Sequence, residues 1–97
     1  MTTPLRWAYR GSYRYLVSLA RAHGVHPFEY QALVESSSGR VLAVTIQKGP
    51  AQWEKDFGPD DLTRVTDPVM AFFSVVVEDM VRTGQRAYQE ALRPRGV

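Results

Sequence analysis

The chain has no cysteine and no asparagine among its 97 residues, and its first 26 residues contain no acidic side chain. Without cysteine, a disulfide framework and a thiolate zinc site are both excluded. The longest apolar runs, residues 69–73 and 75–77, are too short to cross a bilayer. No apolar signal segment opens the chain. We therefore expect a cytoplasmic protein that contacts no membrane.

The remaining composition is typical of a small globular protein. Hydrophobic residues make up 44% of the chain and charged residues 23%, which indicates a modest buried core. We expect a single domain over residues 1–97, with a flexible tail at about 93–97. Ten of the twelve cationic residues are arginine, which favours a GC-rich genome and a bacterial or phage source.

Charge is distributed unevenly along the chain. The net charge is +4 over residues 1–26, −3 over residues 27–67 and +1 over residues 68–97. A molecule with this asymmetry can bind a polyanion at its basic end, or the acidic end of a second copy.

Two alternating stretches, residues 28–36 and 40–48, predict a β-hairpin. Placing Ser36 opposite Arg40 puts apolar side chains on one face and leaves Gly39 where the loop needs a left-handed residue. That apolar face must be shielded from water, and we expect helices to pack against it. Its members are Tyr30, Ala32, Val34, Leu42, Val44 and Ile46.

A long C-terminal helix is predicted from Asp67-Pro68, an N-cap residue followed by proline at the first helical position. The alternative is a buried strand over residues 69–77, where β-branched residues are frequent. The first half of the helix is apolar almost all round, so we expect it to pack against a second surface, most simply in a homodimer. The predicted partner or dimer interface consists of Val69, Phe72, Phe73, Val76, Val77 and Met80.

The N-terminal region allows two interpretations. Residues 12–24 have the apolar spacing, the basic last turn and the terminal glycine of a helix, but they also alternate as a strand would. We favour the helix, preceded by a strand over residues 5–10, and expect a helical turn after Gly49-Pro50. The predicted fold is α+β, a small antiparallel sheet packed against an N-terminal helix and a long C-terminal helix.

Arginines interleaved with aromatic residues are the main functional clue. Such a pattern can contact phosphates and stack on bases, and the absence of a helix-turn-helix or zinc-finger pattern favours single strands or RNA. The competing interpretation is that the aromatic rings belong to the core and the arginines keep their elements soluble. The candidate nucleic-acid-binding residues are Arg6, Arg10, Arg14, Tyr15 and Arg21.

Other patterns give weaker indications. His23 and His26 lack an obvious third metal ligand, and Asp60-Asp61 is typical of a helix start. No nucleophile, phosphate-loop or dinucleotide-binding motif is present. We therefore predict no metal, no cofactor and no enzymatic activity. The leading hypothesis is a small regulatory protein, homodimeric through the C-terminal helix, that binds a protein partner. The alternative is a nucleic-acid-binding regulator.

Overall fold

The computed structural model describes residues 2–36 and 39–92 and contains one four-stranded antiparallel sheet in the order β1-β2-β3-β4. The predicted α+β fold, with the sheet packed against helices, is confirmed. In chain order the elements are β1 (Thr2–Pro4), α1 (Leu5–Ala8), α2 (Arg10–Ala22), a 3-10 turn (Pro27–Glu29), β2 (Gln31–Ser36), β3 (Leu42–Lys48), β4 (Ala51–Phe57), α3 (Pro59–Arg64) and α4 (Asp67–Leu92).

The central hairpin forms between β2 and β3, but its register differs from the predicted one. Val34 lies opposite Val44, whereas the predicted register places it opposite Leu42. The reason is a longer connection, since β3 begins at Leu42 and not at Arg40. A shift of two residues keeps every side chain on its predicted face, because alternate residues of a strand share a face. Gly39 has the expected left-handed conformation, with φ +74°.

Strand β4 occupies the segment predicted to form a helical turn, so that prediction is wrong. Only Gly49 and Pro50 connect β3 to β4, and Lys48 pairs directly with Ala51. The φ of +57° at Gly49 permits this tight connection. Trp53 and Phe57 are four residues apart, a spacing that places them on one face of a strand as well as of a helix.

The predicted strand over residues 5–10 is also wrong. The N-terminal strand is the shorter β1, which pairs with β2, and Leu5 then begins the single-turn helix α1. Leu5 is fully buried, whereas the next three residues are exposed. One inward side chain in four fits a helical turn better than a strand, in which alternate residues would face the core.

Helix α2 confirms the helical interpretation of the N-terminal region, although it begins at Arg10, two residues before the predicted start. It ends as the sequence indicates. Gly24 has φ +79°, its N–H donates to the carbonyl of Arg21, and the Val25 N–H donates to the carbonyl of Ala20 at 2.9 Å. This pair of hydrogen bonds closes the helix with the Schellman geometry.

Helix α4 begins at Asp67, one residue before the predicted first helical position, Pro68, and excludes the alternative of a strand over residues 69–77. It continues through Gly84 to Leu92. At about 1.5 Å per residue, its 26 residues extend about 39 Å. The predicted end at Arg93-Pro94 and the predicted flexible tail lie outside the described residues.

The core lies between one face of the sheet and the layer of helices. The sheet contributes Ala32, Val34, Val44, Ile46 and Phe57, helix α2 contributes Leu16 and Ala20, and α4 contributes Val69, Phe73, Val76, Val77 and Met80. Helix α3 adds Leu62, which closes one end. Burial of this apolar set, at about 25 cal/mol per Å² of apolar surface, is the main force that holds the two layers together.

Candidate nucleic-acid interface

Helix α2 separates its apolar and basic residues onto opposite sides. Leu16 and Ala20 are fully buried against the core, whereas Arg10, Arg14 and Arg21 are exposed. At 100° per residue these three arginines fall within about 40° of one another around the helix axis. With a rise of about 1.5 Å per residue, successive arginines are about 6 and 10 Å apart along the axis. We call Arg10, Arg14 and Arg21 the arginine stripe.

The arginine stripe has no carboxylate within 4.0 Å among the described residues. In that part of the chain the one ion pair within this distance joins Arg82 and Asp79, at 3.5 Å on α4. The guanidinium groups of the stripe therefore keep their five N–H donors available for a ligand. Their planar, bidentate geometry suits phosphate and carboxylate better than lysine does.

Helix α1 places a cation and an aromatic ring side by side next to α2. Trp7 is 75% exposed. The guanidinium carbon of Arg6 lies 6.0 Å from the centroid of the Trp7 ring, at the outer limit of a cation–π contact. An exposed tryptophan of this kind presents a large flat surface on which a base can stack.

Tyr15, the predicted stacking residue, lies on the other side of α2. Its ring is partly buried and stacks on Phe73 at a centroid distance of 6.3 Å. The structure thus brings together Arg10, Arg14 and Arg21 of the predicted site and directs Tyr15 toward the core. Among the side chains that the structure describes, the strongly exposed aromatic ones are instead Trp7 and Phe28.

The sheet face that points away from the helices carries the opposite charge. Glu35, Glu54 and Asp56 are exposed and occupy strand positions that alternate with the buried ones. Within the described strands this face carries no lysine or arginine. The two exposed surfaces therefore carry charges of opposite sign. The arginine stripe lies on the helical layer, and Glu35, Glu54 and Asp56, which we call the acidic sheet face, lie on the side of the sheet away from the helices.

Five of the six residues predicted to form a partner interface are buried within the chain itself. The sheet and α2 cover Val69, Phe73, Val76, Val77 and Met80, each of which is at most 1% exposed. Phe72 is partly buried and packs against Phe57 at a ring distance of 5.6 Å. Of this set, Phe72 alone is partly accessible to a partner, because the packed layers of the chain already bury the other five side chains.

His26, Glu29 and Asp61 make contacts within their own loops and turns. The Glu29 carboxylate accepts the backbone N–H of His26 at 2.7 Å, and the His26 ring stacks on Phe28. Asp61 lies in the first turn of α3 and accepts the Thr66 hydroxyl at 2.8 Å, a local structural role like the one its position predicts. His23 and Glu29 line a shallow cavity of about 290 Å³. The described residues contain no cluster of three side chains suited to a metal ion.

Tyr30 is the one described residue with a clearly perturbed pKa. Burial, reinforced by the neighbouring Tyr13, raises the pKa of Tyr30 to about 12, while the charge of Arg21 acts in the opposite direction. The Tyr30 hydroxyl is buried and has no hydrogen-bond partner among the described residues.

Sequence reasoning missed the exposure of Phe28. The alternating pattern assigns this residue to a strand, but Pro27 starts a 3-10 turn and β2 begins only at Gln31. The signal that could have identified it is the His26-Pro27 pair, since a proline at the first position of a helical turn starts that turn.

No helix within the described residues is long and apolar enough to span a membrane. Protein-family models, curated proteins and solved structures were all compared with the chain, and none matches it.

Proposed function

We propose that this chain is a non-catalytic nucleic-acid-binding protein that contacts the phosphate backbone through the arginine stripe. The observation that carries this proposal is the alignment of Arg10, Arg14 and Arg21 on one exposed side of α2, without a carboxylate partner among the described residues. Three cations in a row match a linear polyanion better than a compact ligand. The carboxylates of Glu35, Glu54 and Asp56 on the sheet repel the same polyanion.

Affinity depends on this local stripe because the net charge of the chain is only +2. Neutralising phosphates with the stripe and Arg6 releases counterions from the strand. For a single strand and four contacts, the slope of log K against log salt is expected to be about −3. Binding is therefore tight only at low ionic strength.

Fluorescence anisotropy with a labelled single strand tests the proposal. We expect Arg10→Ala combined with Arg14→Ala to weaken binding at least tenfold and to reduce the salt slope by about 1.4, which is 0.7 for each lost contact. The matched control is Arg40→Ala combined with Arg64→Ala, which removes the same charge from exposed arginines elsewhere. Equal losses in both variants would show that only net charge matters and would contradict a site on α2.

A second candidate function is self-association, through surfaces other than the α4 interface of the predicted homodimer. The acidic sheet face of one copy complements the arginine stripe of another, and such a contact between two different surfaces extends from copy to copy unless it closes into a ring. Light scattering on a size-exclusion column separates the candidates. Self-association through these faces gives a mass that grows with protein concentration and falls with added salt, in the absence of any nucleic acid.

A further inference from the structure

A shallow, open groove of about 540 Å³ lies beside α1 and the 3-10 turn, at one end of the sheet. Its lining includes Arg6 and Phe28, together with Gln31 and Gln47, which pair with each other on β2 and β3 and occupy the same sheet face as Glu35.

Phe28 is 85% exposed, but its ring and the backbone of its turn both make local contacts. The ring stacks on His26 at a centroid distance of 5.4 Å with an interplanar angle of 5°. Pro27 restricts the backbone of the same turn, and the hydrogen bond from the His26 N–H to Glu29 closes it. An exposed aromatic ring fixed in this way loses little conformational entropy when a second flat group stacks on it.

The polar groups of the groove distinguish a base from a phosphate. The side-chain amides of Gln31 and Gln47 provide both donors and acceptors, which suit the edge of a nucleobase. Glu29 also lines the groove, and its negative charge repels phosphate but not an uncharged base. Arg6 adds a flat cation that can stack on the base or contact the phosphate beside it.

We propose that this groove receives an unpaired nucleobase, stacked on Phe28, while the arginine stripe holds the adjacent phosphates. This inference rests on the proposed function and assigns its ligand to the single-stranded class, because a base paired in a duplex cannot enter the groove. Arg6 joins the two regions, since it lines the groove and lies on the helix that precedes α2.

Phe28→Ala tests the inference by fluorescence anisotropy. The probes are a fluorescein-labelled oligothymidylate of about 12 nucleotides, within the site sizes of known single-strand-binding domains, and an abasic strand of the same length. We expect Phe28→Ala to weaken oligothymidylate binding about tenfold, as loss of one base–aromatic stack predicts, and to leave binding of the abasic strand unchanged. Phe28→Tyr should retain the wild-type affinity.

Val75→Ala is the matched control, because Val75 is an apolar side chain on α4 that is 55% exposed. If Phe28→Ala binds oligothymidylate as tightly as this control, the groove does not hold a base. Should the wild type bind both strands equally and depend on Arg10 and Arg14, the proposed function stands and the present inference fails. Absence of binding to either strand at low salt overturns both.

Discussion

Replacement of Ser12 by alanine should destabilise the fold far more than a typical serine substitution in a helix. Ser12 is completely buried, and its hydroxyl donates a hydrogen bond of 2.5 Å to the backbone carbonyl of Leu62. That carbonyl belongs to the last turn of α3, where a helix supplies no donor of its own. The hydroxyl therefore links α2 to α3 across 50 residues of sequence.

The expected loss of stability follows from the Leu62 carbonyl, which the substitution leaves without a hydrogen-bond donor. Removing the hydroxyl leaves the Leu62 carbonyl without its donor in the core, which costs about 1–3 kcal/mol, while the better helix propensity of alanine returns about 0.5 kcal/mol. The free energy of unfolding should fall by about 0.5–2.5 kcal/mol. For a domain of this size, the midpoint of thermal unfolding should fall by about 2–20 °C.

Urea unfolding followed by tryptophan fluorescence measures the effect. Trp53 is a suitable reporter, because its indole N–H donates to Asp79 on α4 and so senses the packing of the two layers. Ser18→Ala is the matched control, since Ser18 is exposed on the same helix and should change stability by no more than about 0.5 kcal/mol. Equal stabilities of the Ser12 and Ser18 variants would refute the proposed link between α2 and α3.

Two further predictions concern single side chains. Tyr30→Phe removes a buried hydroxyl that has no partner among the described residues, so stability at neutral pH should be unchanged or higher. Because the pKa of Tyr30 is raised to about 12 in the folded state, Tyr30 adds no pH dependence below pH 10 and destabilises the fold as the pH rises from 10 to 12. Urea unfolding at several pH values should show a shallower alkaline loss in Tyr30→Phe, and an unchanged loss would contradict this explanation. Gly24→Ala places a side chain at φ +79° and should cost about 1–2 kcal/mol, whereas Gly84→Ala, inside α4 and free of contacts, should stabilise by about 0.5–1 kcal/mol. Calorimetry should therefore show a lower melting temperature for Gly24→Ala and a higher one for Gly84→Ala. Shifts of the same sign would contradict the roles assigned to the two glycines.

Helices α2 and α4 were predictable from the sequence because the apolar periodicity of each agrees with a start or stop signal at one of its ends. Asp67-Pro68 starts α4, and Gly24 ends α2 in the conformation that only glycine adopts easily. The apolar face of the hairpin was predictable for the same reason, since an error of two residues in register does not change which face a side chain occupies.

Strand β4 could not be predicted from the spacing of Trp53 and Phe57, which fits a helix and a strand equally well. Alternate residues of this segment do indicate a strand, since Ala51, Trp53 and Phe57 face the core. Lys55 lies at the fourth core-facing position, however, and its charge interrupts the apolar pattern. The burial of Val69, Phe73, Val76, Val77 and Met80 within the chain could not be predicted either, because it depends on packing between elements far apart in the sequence.

The candidate interface was predictable in its charges but not in its aromatic rings. Arg10, Arg14 and Arg21 follow helical spacing, so their common side can be read from the sequence once the helix is assigned. Tertiary packing decides that Tyr15 is partly buried while Trp7 and Phe28 are exposed. Sequence alone does not show that Tyr15 stacks on Phe73, a contact between residues far apart in the chain.

Mapping of amide chemical shifts in the isotope-labelled protein tests the proposed interface most directly. On titration with oligothymidylate at low salt, we expect the largest shifts in α1, in the exposed side of α2 and in the 3-10 turn around Phe28, with reversal on addition of salt. The amides of Glu35, Glu54 and Asp56 should change little. Shifts concentrated on that acidic sheet face or on the outer side of α4, or no shifts at all, would contradict binding of nucleic acid through the arginine stripe.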